Sequence, residues 1–154
     1  MRASVALDDA VWTAHADTHY RRVRDEGSPF GEVLCLRNVC WLETVWTVPH
    51  LPPGTYDVVW RLRHDSDGPE TDWEADFSVN STMLRRLSRG RNDVSARPRS
   101  WVELRTGAFC HNAFGEGVTA RMFGHNGHWC GNLSFDWIEM RYRRMAWSQE
   151  RLLW

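Results

Sequence analysis

Aromatic rings set beside carboxylates, amides and imidazoles are the groups of this chain best suited to chemistry, and that chemistry is recognition without bond-breaking. Trp12, Asp17, His19 and Tyr20 fall in one short stretch, and Asn126 and Trp129 lie in a second, Gly124–Gly131, beside His125 and His128. An indole or phenol ring covers the apolar C–H face of a sugar, while a few fixed polar groups pair with its hydroxyls. These residues form the candidate ligand-binding set. In a sugar site Trp12 and Tyr20 would stack, Asp17 and His19 orient, and Asn126 and Trp129 supply an opposing wall; the alternative is that Trp12 and Tyr20 pin the N-terminal segment onto the fold.

Other chemistries fit less well. Cys110-His111 and His125-x-x-His128-x-Cys130 gather soft ligands, yet lack the Cys pairs and His pairs at the spacing of structural zinc sites. The reading therefore carries no metal and no cofactor. The chain has no Gly-x-Ser-x-Gly elbow and no Cys–His nucleophile signature. Asp72, Glu74 and Asp76 alternate along one strand face, the normal place for solvated carboxylates, whereas glycoside hydrolysis needs two carboxylates across a cleft. The expectation is a protein that is not an enzyme. No phosphate-cradling loop is present, and the basic residues lack the aromatic interleaving of an RNA-binding surface.

The elements that must hold these residues read as strands. The chain has 154 residues and ten tryptophans, where an ordinary composition gives roughly two. Tyr56, Val58, Trp60 and Leu62 alternate with Asp57, Val59, Arg61 and Arg63, and Trp73, Ala75, Phe77 and Val79 alternate with Glu74, Asp76 and Ser78. That period of two is the mark of half-buried strands. Further strands are expected at Val33–Arg37, Val39–Val48, Trp101–Arg105, Val118–Phe123 and Leu133–Tyr142. Turn signals punctuate them at Pro52-Pro53-Gly54, Asp67-Gly68-Pro69 and Gly124–Gly127. Such a run of short strands predicts an all-β fold, an antiparallel β-sandwich of two sheets. Trp41, Trp60, Trp73 and Trp101 are assigned to its core, and Trp12 and Trp129 to loops.

Two segments break the alternation. Asp17–Asp25 is polar enough for a short helical turn. Met83–Arg99, rich in arginine, reads as a long surface loop. Residues 1–145 are taken as one domain and 146–154 as a C-terminal tail bearing Trp147 and Trp154.

Formal charge is −1 with a pI near 6.6, and all 19 cationic side chains are arginine. No global basic field draws the chain to nucleic acid or to anionic lipid, so no nucleic acid and no membrane are expected as partners. No stretch approaches the roughly 18 apolar residues of a membrane span. Met1–Ala6 lacks the apolar run of a secretory signal, so a cytoplasmic or nucleocytoplasmic setting is expected. Four cysteines are too few for a disulfide scaffold and read as free, buried thiols.

An ordered series of blocks carries a resemblance. It runs through Val39-Cys40-Trp41-Leu42-Glu43, Leu51-Pro52-Pro53-Gly54-Thr55-Tyr56 and Ser100–Phe109, and closes with Gly127-His128-Trp129-Cys130-Gly131-Asn132-Leu133 and Ile138-Glu139-Met140-Arg141. In order and spacing the series resembles the phloem protein 2 domain of plants, the family of the tobacco-agglutinin-like lectins and of many F-box proteins, over Ala3 to Tyr142. The resemblance implies a galactose-binding-like sandwich of the jelly-roll type. It also implies a free-standing lectin for N-acetylglucosamine oligomers or N-glycan cores, acting without metal, and a homodimer. Trp12 takes the place of the family's first sugar-stacking tryptophan. Tyr20, preceded by His19, stands at the second, and Arg22 replaces a further family tryptophan.

A second reading comes from a different class. The same scaffold, having lost sugar affinity, would serve as a protein–protein interaction module through Arg85, Arg86, Arg89, Arg91, Trp147 and Trp154, since exposed arginine and aromatic side chains anchor such interfaces.

Overall fold

The computed structural model describes residues 1–66, 73–90, 92–124 and 130–143. The described strands are β1 (Arg2–Ser4), β2 (Val11–Thr13), β3 (Tyr20–Arg24), β4 (Glu32–Val39), β5 (Leu42–Val48), β6 (Gly54–His64), β7 (Ala75–Val79), β8 (Thr82–Leu87), β9 (Val102–His111), β10 (Val118–Gly124) and β11 (Cys130–Tyr142), with one helical turn, α1 (Ala16–His19). All pairings are antiparallel. One sheet runs β3-β4-β11-β6-β9, with β1 added on β11; the other runs β2-β5-β10-β7-β8. This is the expected all-β sandwich.

The alternating apolar positions supply the layer between the sheets. Val58, Trp60 and Leu62 from β6 face Ala75, Phe77 and Val79 from β7, joined by Leu42, Trp46, Met122, Phe135 and Ile138 in one buried cluster. The Trp60 and Phe77 rings meet edge to face, with centroids 5.6 Å apart. Trp73 is buried at the entry to β7. Each such indole removes about 200 Å² from water, roughly 5 kcal/mol by area and an upper bound against an extended chain.

The outer face of the larger sheet is also covered, by side chains that are polar yet interlocked. Trp101 lies half-buried beneath the guanidinium groups of Arg61 and Arg63, 5.0 and 4.3 Å from its ring centroid. Arg61 pairs with the buried Asp136 and donates to the carbonyl of Gly27 at 2.9 Å, while Ser28 donates to Asp136 at 2.6 Å. Arg63 bonds Asp25 and Asp65, each at 2.6 Å. This lattice clamps the β3–β4 turn onto the sheet. Burial pushes the Asp136 carboxyl up, against the pull of Ser28 and Arg61.

Several expectations need correction. Met83–Arg99 is not one long loop: its first residues belong to β8, an edge strand with one wet face, and Val94 and Ser95 beyond it are fully buried. Trp12 lies in a strand, β2. The polar stretch after it folds as α1 and then β3, so the helical turn is present but one residue early and short. All four thiols are free, yet Cys40 and Cys110 are exposed and only Cys130 is buried. Residues 146–154, and Arg91 with them, lie outside the described residues.

Candidate functional site

Pairing register decides which side chains share the outer face of the smaller sheet. Trp12 on β2 stands opposite Val45 on β5, Val45 opposite Arg121 on β10, and Arg121 opposite Ser78 on β7. One step along, Glu43, Phe123, Asp76 and Arg86 form a second row across β5, β10, β7 and β8. Strand alternation puts both rows on the same side. The neighbouring residues Leu42, Thr44, Trp46, Ala120 and Met122 point inward and are buried.

This face is aromatic and open. Trp12 is 56% exposed and Trp41, just before β5, is 43% exposed. The second value overturns the core assignment of Trp41. Its position has the same parity as Glu43 and Thr47, so its ring lies on the outer side, against Phe123, with centroids 6.4 Å apart at 87°.

Glu43 fixes the centre of the face. One carboxylate oxygen accepts the Trp41 indole N–H at 2.9 Å, and the other accepts from Arg121 Nε at 2.7 Å. The Arg121 guanidinium then lies over the Phe123 ring, 4.1 Å from its centroid. Trp41 and Phe123 thus each have a polar contact holding their orientation, and the Arg121 guanidinium keeps N–H groups for further partners. Such a surface can receive a flat, hydroxyl-rich ligand.

The residues singled out from sequence are divided by this arrangement. Tyr20 belongs to the core: its ring is 7% exposed and packs on Phe135, with centroids 5.9 Å apart. As the first residue of β3, opposite Leu36 on β4, it turns inward. Its stacking role is therefore withdrawn, because no ligand reaches a ring enclosed by the sandwich. Its hydroxyl is buried with no hydrogen-bond partner among the described residues, and burial pushes the phenol pKa up.

Asp17, exposed in α1, lines a separate cleft of about 220 Å³ with Asp8, Asp9 and Arg22. Val11 and Thr13 line the same cleft, so Trp12 between them points to the other side of β2. His19 is half-buried, edge-on to His15, with ring centroids 5.7 Å apart. Trp12 and Asp17 are thus close in sequence but serve different surfaces. Asn126 and Trp129 lie outside the described residues. Of the arginines read as partner contacts, Arg85 is paired with Asp93 and Arg86 with Asp76.

Sequence reasoning missed Glu43, Arg121 and Phe123 as members of one site. The signal was present in strand parity, since Glu43, Val45 and Thr47 share a face, but their partners on β10 are set by long-range pairing. Among the described residues no three His, Cys, Asp or Glu side chains gather to hold a metal ion. Among them too, no helix is long and apolar enough to cross a membrane.

Two antiparallel sheets packed face to face, one with aromatic side chains laid open, define a jelly-roll sandwich of the kind found in carbohydrate-binding modules. Solved structures sharing the fold include a family 35 carbohydrate-binding module from an environmental isolate, 15% identical, matched over 91% of each chain with a TM-score of 0.59. Another is the family 35 module from Clostridium thermocellum, 16% identical over 92% of this chain and 98% of that one, at 0.54. The insecticidal crystal protein Cry2Aa matches at 0.62 and 11% identity, over 92% of this chain and 21% of that one. Among curated proteins the comparison finds no match. The phloem protein 2 family profile matches residues 6–142, and the chain belongs to that family.

Proposed function

We propose that this protein is a non-catalytic lectin, binding glycans that contain N-acetylglucosamine on the outer face of its smaller sheet. The observation that carries the reading is the pair of exposed indoles, Trp12 and Trp41, on a face whose polar centre is fixed by Glu43 and Arg121. Large aromatic surface left in water is stabilising only when something covers it, and a pyranose ring offers the matching apolar side. Family membership supports the same class of ligand. The charges on the face are largely paired, Glu43 with Arg121 and Asp76 with Arg86, which favours a neutral sugar over an acidic one.

In this reading Trp12 and Trp41 stack, and Arg121, held in place by Glu43, pairs with hydroxyl and acetamido groups. The protein acts in the cytoplasm or nucleus. A homodimer would raise avidity for branched glycans by making the second contact intramolecular.

The test is a glycan array printed with chitooligosaccharides, N-glycan cores and acidic polysaccharides, probed with and without a chelator. Signals on the first two classes that survive chelation support the reading. Signals confined to acidic glycans, or none on any class, count against it.

A further inference from the structure

Beside Phe123, the same face opens into a cleft of about 370 Å³ lined by Glu74, Asp76, Arg86, Ser88, Phe123 and Gly124. Its volume falls in the range of small-ligand sites, about 300–1,000 Å³. Asp76 and Arg86 face each other on β7 and β8 as a two-pronged pair, Nε to Oδ1 at 2.6 Å and Nη2 to Oδ2 at 2.7 Å. A fork of that kind is planar. It presents carboxylate lone pairs and the unused guanidinium N–H groups side by side at its rim. Both partners keep contact with water, at 34% and 65% side-chain exposure.

An acceptor next to a donor, at fixed separation, matches two neighbouring hydroxyls on one sugar ring, since each hydroxyl can give one proton and accept others. The Phe123 ring supplies the apolar wall, and Ser88 and Glu74 add further polar atoms along the rim. Within a 1,4-linked chain of N-acetylglucosamine, position 2 carries the acetamido group and position 4 the next link. A free neighbouring pair, at positions 3 and 4, occurs only on the non-reducing end.

We infer that the Asp76–Arg86 cleft is a terminal subsite, recognising the vicinal hydroxyl pair at the non-reducing end of an oligosaccharide whose remaining units lie toward Trp41 and Trp12. This rests on the lectin reading above. The span agrees with it: β2 to β8 crosses four strand spacings, roughly 19 Å at about 4.8 Å each, long enough for several sugar units in line. Gly124 lets the Glu74 backbone come close at the cleft's edge, since a Cβ there would lie 2.2 Å from the carbonyl oxygen of Glu74.

The experiment titrates chitotetraose, and chitotetraose methylated at O4 of its non-reducing end, into the wild type, Asp76→Asn and Trp12→Ala. The wild type should prefer the free end by about tenfold. Asp76→Asn should lose that preference while keeping most of its affinity for the methylated oligomer. Trp12→Ala should lose affinity for both. Equal wild-type affinity for the two oligomers, unchanged in Asp76→Asn, overturns the terminal subsite and leaves the lectin reading standing. Failure of the wild type to bind either oligomer removes both.

Discussion

One carboxylate oxygen of Glu43 accepts the Trp41 indole N–H at 2.9 Å, and the other takes the Arg121 guanidinium at 2.7 Å. The carboxylate is nearly buried while the two groups it holds stay open to solvent. Glu43 therefore acts through them, as a positioning residue.

Replacing it separates positioning from folding. Glu43→Ala should lower glycan affinity about tenfold, with a stability loss of about 1–2 kcal/mol from the removed acceptor. Glu43→Gln keeps an acceptor for Trp41 and should fall between. Titration of both variants, beside thermal melts, checks the order.

Trp12 and Tyr20 should respond in opposite ways. Trp12→Ala removes a ring that is mostly in water and should cost less than about 1 kcal/mol of stability while strongly reducing glycan binding. Tyr20→Ala empties a core position beside Phe135 and should cost about 3–5 kcal/mol. Tyr20→Phe removes a buried hydroxyl with no partner among the described residues and should be neutral or stabilising, with full binding. Denaturant melts and a single-point binding assay on the three variants decide this.

Much of the sandwich was legible because its strands are half-buried. Trp73-Glu74-Ala75-Asp76-Phe77-Ser78-Val79 writes its two faces out in order, and the stretch folds accordingly, with Trp73 buried and Ala75–Val79 forming β7. Trp41 was misread because an aromatic residue beside a hydrophobic strand gives no sign of its face until the register is known. Tyr20 was misread for the opposite reason. It sits in a polar stretch, His19 to Arg22, and only its pairing with Leu36 turns it inward. The site was half legible: Trp12 stands in it, but Arg121 and Phe123 reach it through pairing between β10 and β5, residues far apart in the chain.

The cleft should keep its charge state in mild acid. The hydrogen-bonded Arg86 guanidinium holds the Asp76 carboxyl below the usual carboxylate range, against the opposing effect of burial. A depressed folded-state pKa means the pair's contribution is fully present above the unfolded value, about 3.9. It is lost only as pH falls further, through the lower folded value. Preference for a free non-reducing end should therefore persist from neutrality to about pH 4.5, checked by repeating the paired titration across that range.

On the opposite sheet, Asp136 joins Ser28 and Arg61 behind Trp101. Asp136→Ala should cost about 3 kcal/mol, because it leaves Arg61 without its buried counter-ion. It should leave glycan affinity unchanged, since it lies on the far side of the core. Chemical denaturation followed by titration below the transition tests both halves.

The central claim is that Trp12, open on the outer face, contacts the glycan. The most direct test is calorimetric titration of chitotriose into the wild type, Trp12→Ala and Tyr20→Phe, with tryptophan fluorescence followed in parallel. The account predicts saturable binding and a fluorescence change in the wild type and Tyr20→Phe, both lost in Trp12→Ala with melting lowered only slightly. Undiminished binding in Trp12→Ala, or no heat from the wild type at millimolar sugar, would contradict it.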